Sequence, residues 1–168
     1  LTAARYPFLP RHLTIVSSLT IGIPAFFLAL EPNAQRYVPG FIGRVLRFAI
    51  PAGVLATLGV LAAYGLARRA DDPLVVSRTL ATLALVVIGL WVLGLLARPF
   101  TRLRAVLIAV LAACVPIGAA IPFVRAFFDL SFGSVVGVLR TLLVAAITCA
   151  ALEAWWRLRV RAARSRTA

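Results

Sequence analysis

The stretch Leu13–Glu31, LTIVSSLTIGIPAFFLALE, decides how the rest of the chain is read. It is an apolar run of the roughly 20-residue length that crosses about 30 Å of hydrocarbon as a helix. Yet it carries four hydroxyls (Thr14, Ser17, Ser18 and Thr20), then Gly22 and Pro24, and it ends in Glu31-Pro32. A lipid anchor needs none of these. Pro24 has no N–H, so the carbonyl of Thr20, four residues earlier, loses its intrahelical donor. Within a bilayer such a carbonyl is tolerated only where protein, water or an ion satisfies it. Helices interrupted in this way mark ion and substrate sites in transporters. The expectation is a cation path beside Thr20, with the helix locally unwound at Ile21–Ile23.

Composition supports a membrane setting. Of 168 residues, 62% are hydrophobic and the mean hydropathy is +1.02, against roughly 45–50% apolar residues in a soluble domain. The formal net charge of +13 would suggest nucleic acid in a soluble protein. Here the arginines sit in the gaps between apolar runs, and no basic helix is interleaved with stacking aromatics. Nucleic-acid binding is therefore set aside.

The chain has neither Met nor Lys; all 18 basic residues are Arg. Beginning at Leu1 without Met, it reads as the C-terminal piece of a longer protein. Without Lys it holds no P-loop and no Schiff-base or Ser–Lys chemistry. Cys114 and Cys149 lie inside apolar runs and read as small buried hydrophobes rather than as a disulfide or metal pair. Leu1–His12 has no apolar core of a signal peptide.

Breakers and charges divide the remainder into an all-α, polytopic bundle of five spanning helices. Residues 1–12 form an outer loop, and 13–31 the first span. After a polar, turn-rich connection, the spans are Phe48–Ala67, Leu74–Ala97, Ala105–Val124 and Ser134–Trp156. Residues 48–156 form a four-helix support bundle, and 157–168 a basic tail. Pro51 is placed in the first turn of its span, where proline costs little.

Arginine counts give the orientation. With the C-terminus cytoplasmic, eleven arginines lie inside and six outside, leaving Arg140 within a span, as the positive-inside rule requires. Leu1 then begins outside, so an earlier membrane segment is expected upstream. The protein is expected to be multi-pass in the plasma membrane.

Ser17 and Thr20, three residues apart, share a helix face, with Thr14 one turn earlier. Their hydroxyls and the Thr20 carbonyl are oxygen ligands suited to a hard cation, although Ser and Thr in membranes also bond back to their own backbone. The span holds no carboxylate, so acidic partners must come from elsewhere. Glu31 is either an ion-entry residue or a solvated interface acid. Arg140 is read as snorkelling outward or pairing with Asp129. Gly133 and Gly137 form a small-xxx-small pair suited to close packing. Trp155-Trp156-Arg157 is an aromatic belt with its basic flank. His12 is expected to be solvated.

YPFLPRHLTI (Tyr6–Ile15) and LTIGIPAFFLALEP (Leu19–Pro32) resemble the sixth transmembrane helix of bacterial P-type cation-transporting ATPases, nearest to the actinobacterial ATPase E type. That helix follows a Pro-rich loop, carries a T-D-G-x-P-A-type core and ends roughly in A-L-x-x-x-P. The resemblance implies a pump with ion ligands on helices four, five, six and sometimes eight, and a support bundle of helices seven to ten. It makes Thr20 the site threonine, Gly22 and Pro24 the unwinding pair, and Ser17 the counterpart of an Asn in calcium pumps. Ile21 stands where calcium pumps commonly carry Asp, so it belongs to the ion-binding set by position and supplies no ligand. With that departure the resemblance implies a single site, completed by helices outside this chain.

The implied cargo is a cation, calcium first. ATP and Mg2+ would act in domains outside the chain, whose phosphorylation motif D-K-T-G-T needs a Lys. The implied partners are the rest of the pump polypeptide (helices one to five and the cytoplasmic domains) and the lipid bilayer. No catalytic residue lies in this chain on that reading. The alternative is a free-standing five-helix membrane protein, a channel subunit or assembly factor.

Overall fold

The computed structural model describes residues 7–30, 40–98 and 101–164. Among them no strand occurs, and five helices are long and apolar enough to cross a membrane. The first spanning unit joins α1 (Pro10–Ser17), a π turn (Ser18–Gly22) and α2 (Ile23–Ala29). The others are α3 (Phe41–Arg69), α4 (Leu74–Leu96), α5 (Arg102–Ala120) and α7 (Val135–Arg164), with the short α6 (Pro122–Phe128) between the last two. Glu31, the rest of the 31–39 connection, residues 1–6 and residues 165–168 of the expected tail lie outside the described residues.

Local chemistry explains most ends. Leu9 is extended ahead of Pro10, whose ring presets the helical φ at the first position. Gly40 precedes α3 at φ 80°, a conformation open to glycine at no steric cost. Thr101 caps α5, its hydroxyl accepting from the Arg104 N–H at 3.3 Å. The fourth span stops at Ala120, short of the expected Val124, because Ile121 turns extended before Pro122. α7 continues to Arg164, so the first part of the expected tail is helical.

The largest difference from expectation is in α3, which begins at Phe41 rather than Phe48. Pro51 therefore lies in the helix interior and withholds a donor from the Arg47 carbonyl. Arg159 of α7 fills that gap: its Nη1 donates to the Arg47 carbonyl. The same guanidinium lies 5.1 Å from the centre of the Trp155 ring. Trp155 and Trp156 both pack on Phe48, with centroids 5.8 and 5.6 Å away. This end of the bundle is thus pinned by aromatic and guanidinium contacts.

The core lies among α3, α4 and α7, where Ala63, Ala81, Ala84, Ile88, Ala145 and Leu152 are buried. Small residues set the approach. A Cβ at Gly59 of α3 would collide with the Thr148 side chain of α7. Gly133 (φ +59°) lies against Val76 and Gly137 against Leu80, so the Gly pair packs on α4 as expected, Gly133 from the turn before α7. α4 is central and largely buried, whereas α5 is covered mainly by α4 and α6.

Candidate functional site

The first span lays one stripe on α4. His12 and Pro24 are fully buried, and Val16, Leu19 and Leu28 pack against Val86, Leu90 and Leu93 of α4 and Leu111 of α5. The opposite face is open: Thr14 and Ser17 are exposed, as are Ile21 (65%) and Phe26 (63%).

The π turn falls within the segment that holds Thr20. The Ile23 N–H bonds to the Ser18 carbonyl, five residues back, and Gly22 and Ile23 keep right-handed helical dihedrals. Instead of the expected unwinding at Ile21–Ile23, the backbone takes one wide turn. A π turn admits one extra residue and often accompanies functional positions. Here it ends at Gly22, two residues ahead of the buried Pro24.

That wide turn separates two residues expected on one face. Ser17 points outward, its hydroxyl donating to the Thr14 carbonyl at 3.2 Å. Thr20 is half-buried on the α4 side, donating to the Val16 carbonyl at 2.7 Å. Ile21 shares the outer face with Ser17. Thr20 and Ser17 are thus brought to one level of the helix but not to one surface.

Gly89 of α4, which the sequence reading passed over, is the contact that seats Thr20. A Cβ there would meet the Thr20 Cγ2 at 2.8 Å and its Cβ at 3.3 Å. Such a contact requires the Thr20 side chain or one of the helices to shift. The only sequence signal was an isolated glycine in an otherwise aliphatic run, which usually has a packing reason.

At its N-terminal end, the first span is tied to the α6 turn. Arg11 Nη2 pairs with Asp129 at 2.9 Å, and Nη1 donates to the Phe127 carbonyl at 3.3 Å. His12 Nε2 donates to the Phe128 carbonyl at 2.9 Å. His12 is therefore not solvated as expected but fully buried, with Nδ1 lacking a protein partner. The reversal arises because the α6 turn folds back over it. Asp129, the expected partner of Arg140, is taken by Arg11. Arg140 stays exposed, bordering a small crevice with Asp72, Gly137 and Thr141.

Between the first span, α4 and α5 lies a cavity of about 270 Å³, lined by aliphatic side chains and by Thr14, Ser18, Thr79 and Thr82. Thr79 donates to the Val75 carbonyl at 3.0 Å and accepts from the Ser131 N–H at 3.0 Å; Thr82 donates to the Arg78 carbonyl at 2.8 Å. Cys114 lines the same cavity, while Cys149 is buried in the core. Among the described residues, no three of His, Cys, Asp and Glu come together. The hydroxyls and carbonyls of the first span therefore offer neutral oxygens without a charged ligand. Sequence reasoning also missed Glu153, which gathers Arg98 (2.9 Å) and Arg157 (2.8 Å) at the other end of the bundle.

Comparison with known proteins points the same way. The chain is 34% identical over 160 residues to the calcium-transporting ATPase CtpE of Mycobacterium bovis, covering 93% of this chain and 20% of that protein. This chain is related to P-type ATPases. The counterpart in Mycobacterium tuberculosis matches equally, at 34% over 160 residues. That of Mycolicibacterium smegmatis is 39% identical over 108 residues, 62% of this chain and 14% of its own length. The chain thus spans about one fifth of the length of the first two relatives. No family model and no solved structure matches it. The likeness extends well beyond Tyr6–Pro32 and brings the α3–α7 bundle into the ATPase relationship.

Proposed function

We propose that this chain is the C-terminal membrane segment, helices six to ten, of a P-type ATPase that moves calcium across the plasma membrane. The observation that carries this reading is the π turn at Ser18–Gly22 beside Pro24, in a chain related to calcium-transporting ATPases over 93% of its length. The first span supplies neutral oxygens: the Thr20 hydroxyl and carbonyl, and the Ser17 hydroxyl. Ile21 supplies none. Carboxylates come from helices outside this chain and meet the open face that carries Ser17 and Ile21.

In this reading α3, α4, α5 and α7 hold the first span at a fixed level, with Gly89 against Thr20. ATP and Mg2+ act in other domains of the same polypeptide, since this chain has no Lys for the phosphorylation motif. The Arg-rich end of α7 is cytoplasmic. During transport the wide turn opens further and presents the Thr20 carbonyl to the ion.

Calcium-stimulated ATP hydrolysis by the full-length protein tests this. Thr20→Val keeps the shape that rests on Gly89 but removes the hydroxyl. It is expected to weaken apparent calcium affinity by about tenfold, the equivalent of ~1.4 kcal/mol. Ser17→Ala is expected to weaken it less. Unchanged calcium dependence in both variants would remove these residues from the site.

A further inference from the structure

A cleft runs along α4 between α5 and α7, sharing Leu83, Val115, Ala119 and Phe132 with the cavity beside the first span. Its volume is about 780 Å³, and its walls include Leu83, Leu90 and Trp91 of α4, Ile108 and Pro116 of α5 and Leu142 of α7. A second recess of about 680 Å³ continues it between α4 and α7, sharing Val87, Trp91, Arg98 and Leu142. Both volumes lie in the range of ligand pockets, roughly 300–1,000 Å³. The walls are aliphatic and aromatic throughout, save at one end.

That end holds Arg98, Arg157 and Glu153. Arg98 makes two bonds to the Glu153 carboxylate, at 3.1 and 2.9 Å, and Arg157 Nε makes a third at 2.8 Å. Two positive charges thus share one negative charge. The Arg157 side chain is 68% exposed and spends only Nε on Glu153, so the N–H groups of Nη1 and Nη2 remain for a ligand. A guanidinium fixed through Nε and open at its other edge suits bidentate recognition of a phosphate.

The apolar part has the matching dimension. From Leu83 to Arg98, α4 rises about 22 Å, more than the ~15 Å hydrocarbon depth of a single leaflet. The two recesses diverge from the shared Trp91–Arg98 strip, one toward α5 and one along α7, as two acyl chains require. Basic pockets between spanning helices are recurrent sites for anionic lipid head groups. We propose that the cleft binds one anionic phospholipid, its phosphate on Arg157 and Arg98 and its acyl chains along Trp91, Val87 and Leu142.

Trp91 provides the readout. The full-length protein is reconstituted in phosphatidylcholine, and lipids with brominated acyl chains are titrated in. Subtracting the signal of Trp91→Phe isolates quenching at Trp91. Brominated phosphatidylglycerol is expected to half-quench Trp91 at about fivefold lower mole fraction than brominated phosphatidylcholine, following ~1 kcal/mol per basic residue. Arg157→Gln, which leaves the Arg98–Glu153 pair in place, is expected to abolish that preference. Equal potency of the two lipids overturns the proposal, as does a preference that survives Arg157→Gln. So does silence of Trp91 toward both lipids, the result if another part of the polypeptide fills the cleft. Displacement of the lipid by soluble glycerol phosphate would assign the arginines to a free phosphate instead.

Discussion

Pro51 and Pro24 inflict the same covalent lesion on two helices and meet different surroundings. Each withholds an N–H from the carbonyl four residues earlier, Arg47 in one case and Thr20 in the other. At Pro51 the gap is filled by Arg159, reaching across from α7. At Pro24 no side chain among the described residues donates to the Thr20 carbonyl, and the helix takes a π turn just before the proline. One break is sealed by a neighbouring helix and serves structure. The other has no such side-chain donor among the described residues, which suits the proposed ion path. A proline inside a spanning helix is therefore not a functional signal until the fate of its orphaned carbonyl is known.

The most severe way to break this contrast is to repair the second lesion. Pro24→Ala returns a donor to the Thr20 carbonyl. Apparent calcium affinity in ATP hydrolysis is expected to fall by at least about tenfold, while thermal stability holds or rises. A large loss of stability instead would make Pro24 a packing residue only. Next in size, Gly89→Leu forces a side chain where even a Cβ reaches within 2.8 Å of Thr20. Overpacking of this kind costs about 1–3 kcal/mol, seen as a lower thermal midpoint together with altered calcium dependence. Gly94→Ala, where nothing lies within 4 Å, is the control and should change neither.

Arg159→Leu tests the sealed break. It leaves the Arg47 carbonyl without its side-chain donor and removes the guanidinium from Trp155, with an expected cost of about 0.5–1.5 kcal/mol because the contact is exposed. Adding Pro51→Ala should recover part of that loss, because the regular helix then supplies the missing donor. Strict additivity in this double-mutant cycle would deny the coupling. The smallest effect is expected for Asp129→Asn at the tie between the first span and the α6 turn. The Arg11–Asp129 pair is exposed on both sides, 44% and 42%. Its loss should lower stability by no more than about 1 kcal/mol, and high salt should shrink the difference.

Much of the architecture was legible along the chain. Spanning length, turn residues and charge gaps located all five helices, since lipid imposes a length and a polarity on each segment separately. The ends were less legible: apolar content marks where a helix crosses hydrocarbon, not where its hydrogen bonds stop. α3 begins at Phe41 and α7 persists to Arg164, both through arginine-bearing turns that hydropathy assigns to loops. At the candidate site, the interruption near Pro24 could be read from Gly22 and Pro24. Its form, a π turn that sends Ser17 and Thr20 to different surfaces, could not. His12 misled because a histidine beside arginines at an interface looks solvated until the α6 turn covers it.

The sequence by itself determined that this is a helical membrane segment, that Thr20 lies at a weakened turn, and that no carboxylate accompanies it between Leu13 and Leu30. Those properties follow from residue types and spacings, which act within one helix. Only the tertiary structure decided which orphaned carbonyl is sealed, that Gly89 seats Thr20, and that Glu153 gathers two arginines at the mouth of an apolar cleft. Each of these depends on a side chain from another helix. Such pairings are set by packing across the bundle, where residues distant in the chain come within a few ångströms.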